Sequence, residues 1–166
     1  MKKMIMILLL ILISPLLYSG EIVDVEIIRY VHQKALEYEV SPEIIFAIGI
    51  TESNWRNVVS GYNNDGSRDI GVMQLNSKYI SYYERTFWYK DIDFNPWNVK
   101  HNIEMAIMYL SHLHSYTNNW RDAVKAYNVG LRGLKKYPEY ANRYIVRVSR
   151  SLANIQVYTN TYIYYD

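Results

Sequence analysis

The run Ile44-Ile45-Phe46-Ala47-Ile48-Gly49-Ile50 has no polar face. A helix built from it is stable only if the rest of the chain encloses it. In front of the run, Ser41-Pro42-Glu43 supplies an N-cap hydroxyl, a proline whose missing N–H costs nothing at a helix start, and an acid near the positive end of the helix dipole. A central buried helix is therefore predicted to begin at this point, and the remaining elements must supply the surfaces that cover it.

Those elements read as helices. From Glu21 to Glu39, Val25, Ile28, Val31, Ala35 and Tyr38 return at helical intervals with charges between them. Asn95-Pro96 is predicted to open a third helix, with Ile103, Ala106, Ile107, Leu110 and Leu113 on its inner face. A fourth begins near Asn119 and carries Ala123, Ala126 and Tyr127, until Gly130 and Gly133 stop it. A fifth follows Pro138 with Ala141, Tyr144, Ile145, Val148 and Leu152 in line. Between Asn57 and Asp69 the periodicity disappears, and Asn63-Asn64-Asp65-Gly66-Ser67 is a strong turn signal. A small loop or β-hairpin lobe is expected there. The expected class is mainly α, in one domain over residues 21–152, with residues 153–166 as a C-terminal tail that shows no helical stripe.

Residues 1–20 have a basic start at Lys2 and Lys3, an apolar run from Met4 to Ile13 and a small-residue exit at Ser19 and Gly20, the layout of a secretory signal peptide. The apolar stretch is shorter than the roughly 20 residues of a membrane-spanning helix. Export is expected, with cleavage near Ser19 or Gly20; an uncleaved tether is the alternative. The chain has no cysteine, so even outside the cell its stability must come from packing and hydrogen bonds. Removing Lys2 and Lys3 from the 18 basic residues leaves as many as the 16 acidic ones. A neutral domain lacks the basic footprint of a nucleic-acid binder, so no nucleic-acid partner is expected. His32, His101, His112 and His114 form no helical metal motif, and no metal or cofactor is expected. Lys34, Arg56, Arg85, Lys90 and Lys100 read as solvated surface charges.

Glu52 stands directly after the oily run, with Ile48 one turn before it and Gly49 leaving space beside it. A carboxylate at a helix C-terminus faces the negative end of the dipole, and apolar neighbours desolvate it; both disfavour the charged form. An acid kept protonated near neutral pH is what cleavage of a glycosidic bond requires, because the leaving oxygen must receive a proton. On position alone, a glutamate at a helix end that points into water is the simpler reading.

Thr51-Glu52-Ser53-Asn54-Trp55, Gly71-Val72-Met73-Gln74-Leu75-Asn76 and Ala126-Tyr127-Asn128-Val129-Gly130, in this order, resemble the catalytic domain of the soluble lytic transglycosylases, lysozyme-like enzymes of peptidoglycan cleavage. Phe94-Asn95-Pro96 with Asn102-Ile103, and Tyr144 before Ile145-Val146-Arg147-Val148, look like further landmarks. The likeness runs from about Ser41 to Val148. It implies a lysozyme-like helical domain with Glu52 as the catalytic acid and Ser53 beside it. It also implies that Met73 and Gln74 line the sugar groove, that Tyr127 and Asn128 border the carboxyl, and that Tyr144 approaches it from the last helix. Packing alone is the other reading of Met73 and Tyr144. The implied partner is the peptidoglycan glycan strand, the implied compartment the periplasm or the extracellular space, and a monomer is expected.

Val72, Val129 and Asn95 depart from the leucine, alanine and aspartate usual in the family. The segment from Asn63 to Ile70 is longer than in many members. It resembles the specialised branch associated with secretion systems and pili, which implies a secretion or pilus assembly machine as a partner, and it also resembles animal-type lysozymes. In the lysozyme pattern Asp69, seventeen residues after Glu52, would be a second catalytic carboxylate; the simpler reading is that it pairs with Arg68 or caps the turn. Two chemistries stay open: a transglycosylase using Glu52 alone and leaving 1,6-anhydro ends, or a muramidase using Glu52 and Asp69. A non-catalytic wall-binding scaffold, whose 18 tyrosines suit sugar stacking, is a reading of a different class.

Overall fold

The computed structural model describes residues 23–87 and 94–163; the leader of residues 1–20, and Lys90, lie outside them. In chain order the elements are α1 (Val25–Glu37), α2 (Pro42–Ser53), β1 (Asp69–Ile70), β2 (Leu75–Asn76), α3 (Ile80–Phe87), α4 (Val99–Thr117), α5 (Trp120–Lys136) and α6 (Pro138–Ile163). Helix α2 is enclosed as its composition demands. Ile45, Ala47 and Ile48 are fully buried, and Ile44, Phe46 and Ile50 pack against the same core. Helices α1 and α6 lie on it, α4 packs on α1 and α5, and α5 on α6. Of the expected inner faces, Ile28, Val31 and Ala35 of α1 and all five named residues of α4 are buried, Tyr38 is partly buried, and Val25, at the first turn of α1, is exposed. Among the described residues, no helix is long and apolar enough to cross a membrane.

Several element ends differ from expectation, each for a local reason. Ser41 takes the N-cap position of α2, but its hydroxyl donates to Glu43 Oε2 at 2.5 Å instead of accepting from a helix amide. Helix α4 starts three residues after Asn95-Pro96. There the Asn95 side chain accepts from Trp97 N–H to hold a turn, and Asn98 does the capping, accepting from Lys100 and His101. Gly130, at φ 71° and ψ 165°, breaks the helical backbone where the sequence placed a stop, and a second helical segment of α5 follows it as far as Lys136. The expected tail is not separate: α6 runs on to Ile163. Buried Ile155 extends the stripe of Val148 and Leu152, a spacing masked in the sequence by the polar residues between them. Helix α3 and the 3₁₀ turn before it, Ser77–Tyr79, were not anticipated at all.

The lobe between α2 and α3 is a two-residue antiparallel ladder, Asp69 opposite Asn76 and Ile70 opposite Leu75, extended by a bridge from Val59 to Ile70. The Asn63–Ser67 turn forms as its residues predict. Gly66 sits at φ 79°, its N–H donates to Asn63 O at 2.9 Å, and Lys78 pairs with Asp65 at 2.8 Å.

Two residues behave differently from their sequence reading. Gly49 does not make room for Glu52: a Cβ there would lie 2.7 Å from the Trp55 ring, so the glycine is required by that indole. Lys34 is not a solvated charge, since its ammonium sits 2.9 Å from both Glu104 and Glu37 with little exposure, and Tyr30 donates its hydroxyl to the same Glu104.

Candidate active site

Glu52 lies inside the last turn of α2, not after it. The helix is closed by two residues in the left-handed region, Asn54 at φ 54° and Trp55 at φ 61°. Their N–H groups return to Ile50 O at 3.1 Å and Gly49 O at 3.3 Å, which satisfies two of the carbonyls that a helix end leaves open. This closure fixes where the Glu52 carboxyl points. The Tyr144 hydroxyl, from α6, donates to Glu52 Oε1 at 2.5 Å. Among the described residues no group donates to the other oxygen, and Glu52 lines an open groove of about 1100 Å³.

Burial pushes the Glu52 carboxyl up to about 7. The Tyr144 hydrogen bond and the charge of Arg147, whose guanidinium lies 5.4 Å from the Tyr144 ring centre, pull the other way, while nearby Asp69 adds to the rise. Desolvation wins. A carboxyl in this setting still carries its proton in about half of the molecules at neutral pH, with one oxygen tethered to Tyr144 and the residue lining the groove.

Asp69, Gln74, Tyr127 and Asn128 line the same groove as Glu52, so the structure gathers residues of the lobe and of α5 around one acid of α2. Over residues 29–147 the sequence matches the Transglycosylase SLT domain. The chain belongs to this family. Its fold is lysozyme-like: the lytic transglycosylase Slt of Pseudomonas aeruginosa, solved as an inactive mutant, is similar with a TM-score of 0.64 at 20% identity. The 70 kDa soluble lytic transglycosylase of Escherichia coli is similar with a TM-score of 0.64 at 17% identity. Each comparison covers 79% of this chain and 24% of the other, so the chain spans about a quarter of the length of those proteins. No curated protein sequence matches significantly.

Within this SLT domain, two of the residues expected at the sugar face lie beneath it. Met73 is completely buried. Its backbone supports the site instead, with the N–H donating to Asn102 Oδ1 and the carbonyl accepting from the Tyr127 hydroxyl, both at 2.8 Å. Ser53 is buried too, and its hydroxyl donates to Val72 O at 2.7 Å, tying the end of α2 to the lobe. Neither side chain is among those facing the groove. Tyr144, 1% exposed, combines the two readings of its sequence position: it is a core residue whose hydroxyl reaches the acid.

Gln74 keeps a place in the groove in a narrower role. Its amide N–H₂ is spent on Val58 O at 3.1 Å and Gly71 O at 2.7 Å, so what it can offer a ligand is the acceptor oxygen. Asp69 is not paired with Arg68, whose Nε donates to Ser60 O and whose guanidinium lies over Tyr62. Two amides hold it instead: Asn76 donates to Oδ1 at 2.9 Å and Asn63 to the same oxygen at 3.3 Å.

Sequence reasoning marked Asn102 as a landmark but gave it no role. It is wholly buried on α4, where its amide donates to Ile70 O at 2.9 Å and Pro96 O at 3.0 Å while its oxygen takes the Met73 N–H. The readable signal was a single amide next to Ile103 on an otherwise apolar face, since a buried amide without partners is costly. Groove tyrosines 79, 82, 137 and 140 were missed, because a turn or helix start gives no periodic cue to which way a ring faces. Among the described residues no cluster of histidine, aspartate, glutamate or cysteine is suited to a metal ion. His114 stacks on Trp120 at 3.8 Å, and His112 meets Tyr116 edge-on.

Proposed function

We propose that this protein is a peptidoglycan lytic transglycosylase that cleaves the β-1,4 bond between N-acetylmuramic acid and N-acetylglucosamine, with Glu52 as acid and then base. The observation that carries this reading is Glu52 itself, raised to about 7 by burial, anchored through Oε1 and lining the groove. Glu52 transfers its proton to the bridging oxygen as the bond from the muramyl C1 breaks and positive charge develops on the ring. The carboxylate then removes the proton of the same sugar's C6 hydroxyl, and O6 bonds to C1 to close a 1,6-anhydro ring. Glu52 ends protonated, as it began. A nucleophile within the substrate has a high effective concentration, so neither water nor a second carboxylate is required. Residues 1–20 and the wall substrate together support action outside the cytoplasmic membrane, in the periplasm. The long lobe segment supports recruitment by a secretion or pilus machine.

A muramidase reading is favoured by one observation, that Asp69 lines the groove with Glu52. Its Oδ1 is occupied by two amides, an arrangement better suited to stabilising a nearby cation than to attacking it. Product analysis separates the two. Mass spectrometry of sugars released from purified peptidoglycan is expected to show 1,6-anhydro-muramic ends; reducing muramic ends with water incorporated would replace this chemistry with hydrolysis. A pure scaffold has no use for a desolvated acid, and it would bind muropeptides without releasing any product.

Tyr144→Phe tests the tether. The hydroxyl favours the charged form of Glu52, so its loss is expected to move the carboxyl further up, and the alkaline limb of the kcat/KM profile should shift to higher pH. The freed carboxyl also samples more orientations, and kcat is expected to fall by roughly 10- to 100-fold. An unchanged pH limb with normal kcat would remove Tyr144 from the mechanism.

A further inference from the structure

Asn128, Val129, Gly130, Leu131 and Arg132 all line the groove. A straight α-helix distributes five successive side chains around its whole circumference. The break at Gly130, at φ 71° and ψ 165°, is what brings Arg132 round to the same surface. Arg132 is exposed and, among the described residues, has no ion pair and no hydrogen bond. The groove's own acids are engaged elsewhere: Asp65 with Lys78, Asp69 with Asn63 and Asn76, and Glu52 with Tyr144. The same groove is lined by Tyr137 and Tyr140, which meet edge to face with ring centres 6.2 Å apart, at 43% and 56% exposure. Two more cations back them, Lys136 at 5.1 Å from the Tyr137 ring and Arg143 at 4.5 Å from the Tyr140 ring.

Exposed rings in one groove with an unpaired guanidinium form a surface for a sugar that carries a carboxylate: the rings stack on the pyranose and the guanidinium donates two parallel hydrogen bonds to the carboxylate. Resting on the function proposed above, we infer that Arg132 with Tyr137 and Tyr140 is a carboxylate-reading subsite that selects muramyl over glucosaminyl residues. N-acetylglucosamine is neutral. The muramyl residue bears a lactyl group that ends in a free carboxylate on a stripped strand, or leads through an amide to the acidic stem peptide on an intact one. Both sources present the same chemistry to Arg132.

The test is calorimetric titration of full-length protein carrying Glu52→Gln, so that ligands are not consumed. Three ligands are compared: chitotetraose, a muramyl-containing tetrasaccharide with free lactyl carboxylates, and the same sugar with stem peptides. Adding Arg132→Gln is expected to weaken at least one acidic ligand by about tenfold, the scale of one charge-assisted contact, and to change chitotetraose by less than about twofold. Loss with the free-lactyl ligand alone identifies the lactyl acid; loss with the peptide ligand alone identifies the stem peptide. Lys135→Gln, an exposed charge outside the lining, is expected to change none of the three. Equal weakening of all three by Arg132→Gln, or of none, overturns the subsite while leaving peptidoglycan cleavage by the unmodified protein intact. Failure of every ligand to bind overturns the subsite and the proposed function together.

Discussion

Glu52→Gln is expected to reduce release of peptidoglycan fragments by about a thousandfold, the usual contribution of a positioned general acid, while making the protein more stable at pH 8. The second half follows from the first. Folding holds this carboxyl at about 7 against an ordinary value of 4.5. Below pH 4.5 both the folded and unfolded chains keep the proton, and burial carries no ionisation penalty. Between 4.5 and 7 the unfolded chain releases its proton while the folded one retains it, so the folded state loses about 1.4 kcal/mol per pH unit, and roughly 3 kcal/mol in all by pH 8. Glutamine is neutral throughout, and its amide oxygen can still accept from Tyr144. Urea unfolding of both proteins should therefore show a stability gap that opens from pH 4.5 to 7 and is flat above it. Activity of the unmodified enzyme should fall tenfold per unit above about pH 7 as the acid form is depleted. If the gap does not change with pH, Glu52 is not desolvated, and the case for it as the acid fails with it.

The same residue shows how far the sequence could be read. An apolar run that ends in a glutamate dictates a buried helix but leaves the acid either desolvated or turned to water; the helix is buried and the acid is desolvated. Regular periodicity identified α1, α4, α5 and α6, because burial of a stripe is a property of the stripe alone. What could not be read depends on contacts between segments. Whether Met73 faces sugar or core is decided by Asn102, twenty-nine residues away, which takes its N–H, and by Tyr127, which takes its carbonyl. Gly49 is explained by an indole six residues on, and the course of α6 beyond Leu152 by one buried isoleucine among polar neighbours. A glycine that ends a helix outright and one that is followed at once by a further helical segment look alike in a sequence; Gly130 is of the second kind.

Asn102→Ala is expected to destabilise the protein by roughly 3 kcal/mol or more, since it strands three backbone groups at once: Met73 N–H, Ile70 O and Pro96 O. Two of these flank the turn from Gly71 to Gln74, which carries Gln74 into the groove and sets the carbonyl that receives the Tyr127 hydroxyl. Even at temperatures where the variant stays folded, KM for glycan should therefore rise, because the loosened turn no longer holds the acceptor oxygen of Gln74 in one place. Gly71 makes the test sharper. It sits at φ 82°, and a Cβ on it would lie 2.2 Å from Asn102 Nδ2, so Gly71→Ala combines a strained backbone with a collision against the same amide. Its cost should be severe alone and much smaller once Asn102 has been cut back to alanine, because the colliding group is then gone. Thermal unfolding of the two single variants and the double variant gives the coupling directly. A double variant whose loss of stability equals the sum of the singles would mean that the turn and the asparagine act independently, and that something other than this buried amide sets the floor of the groove.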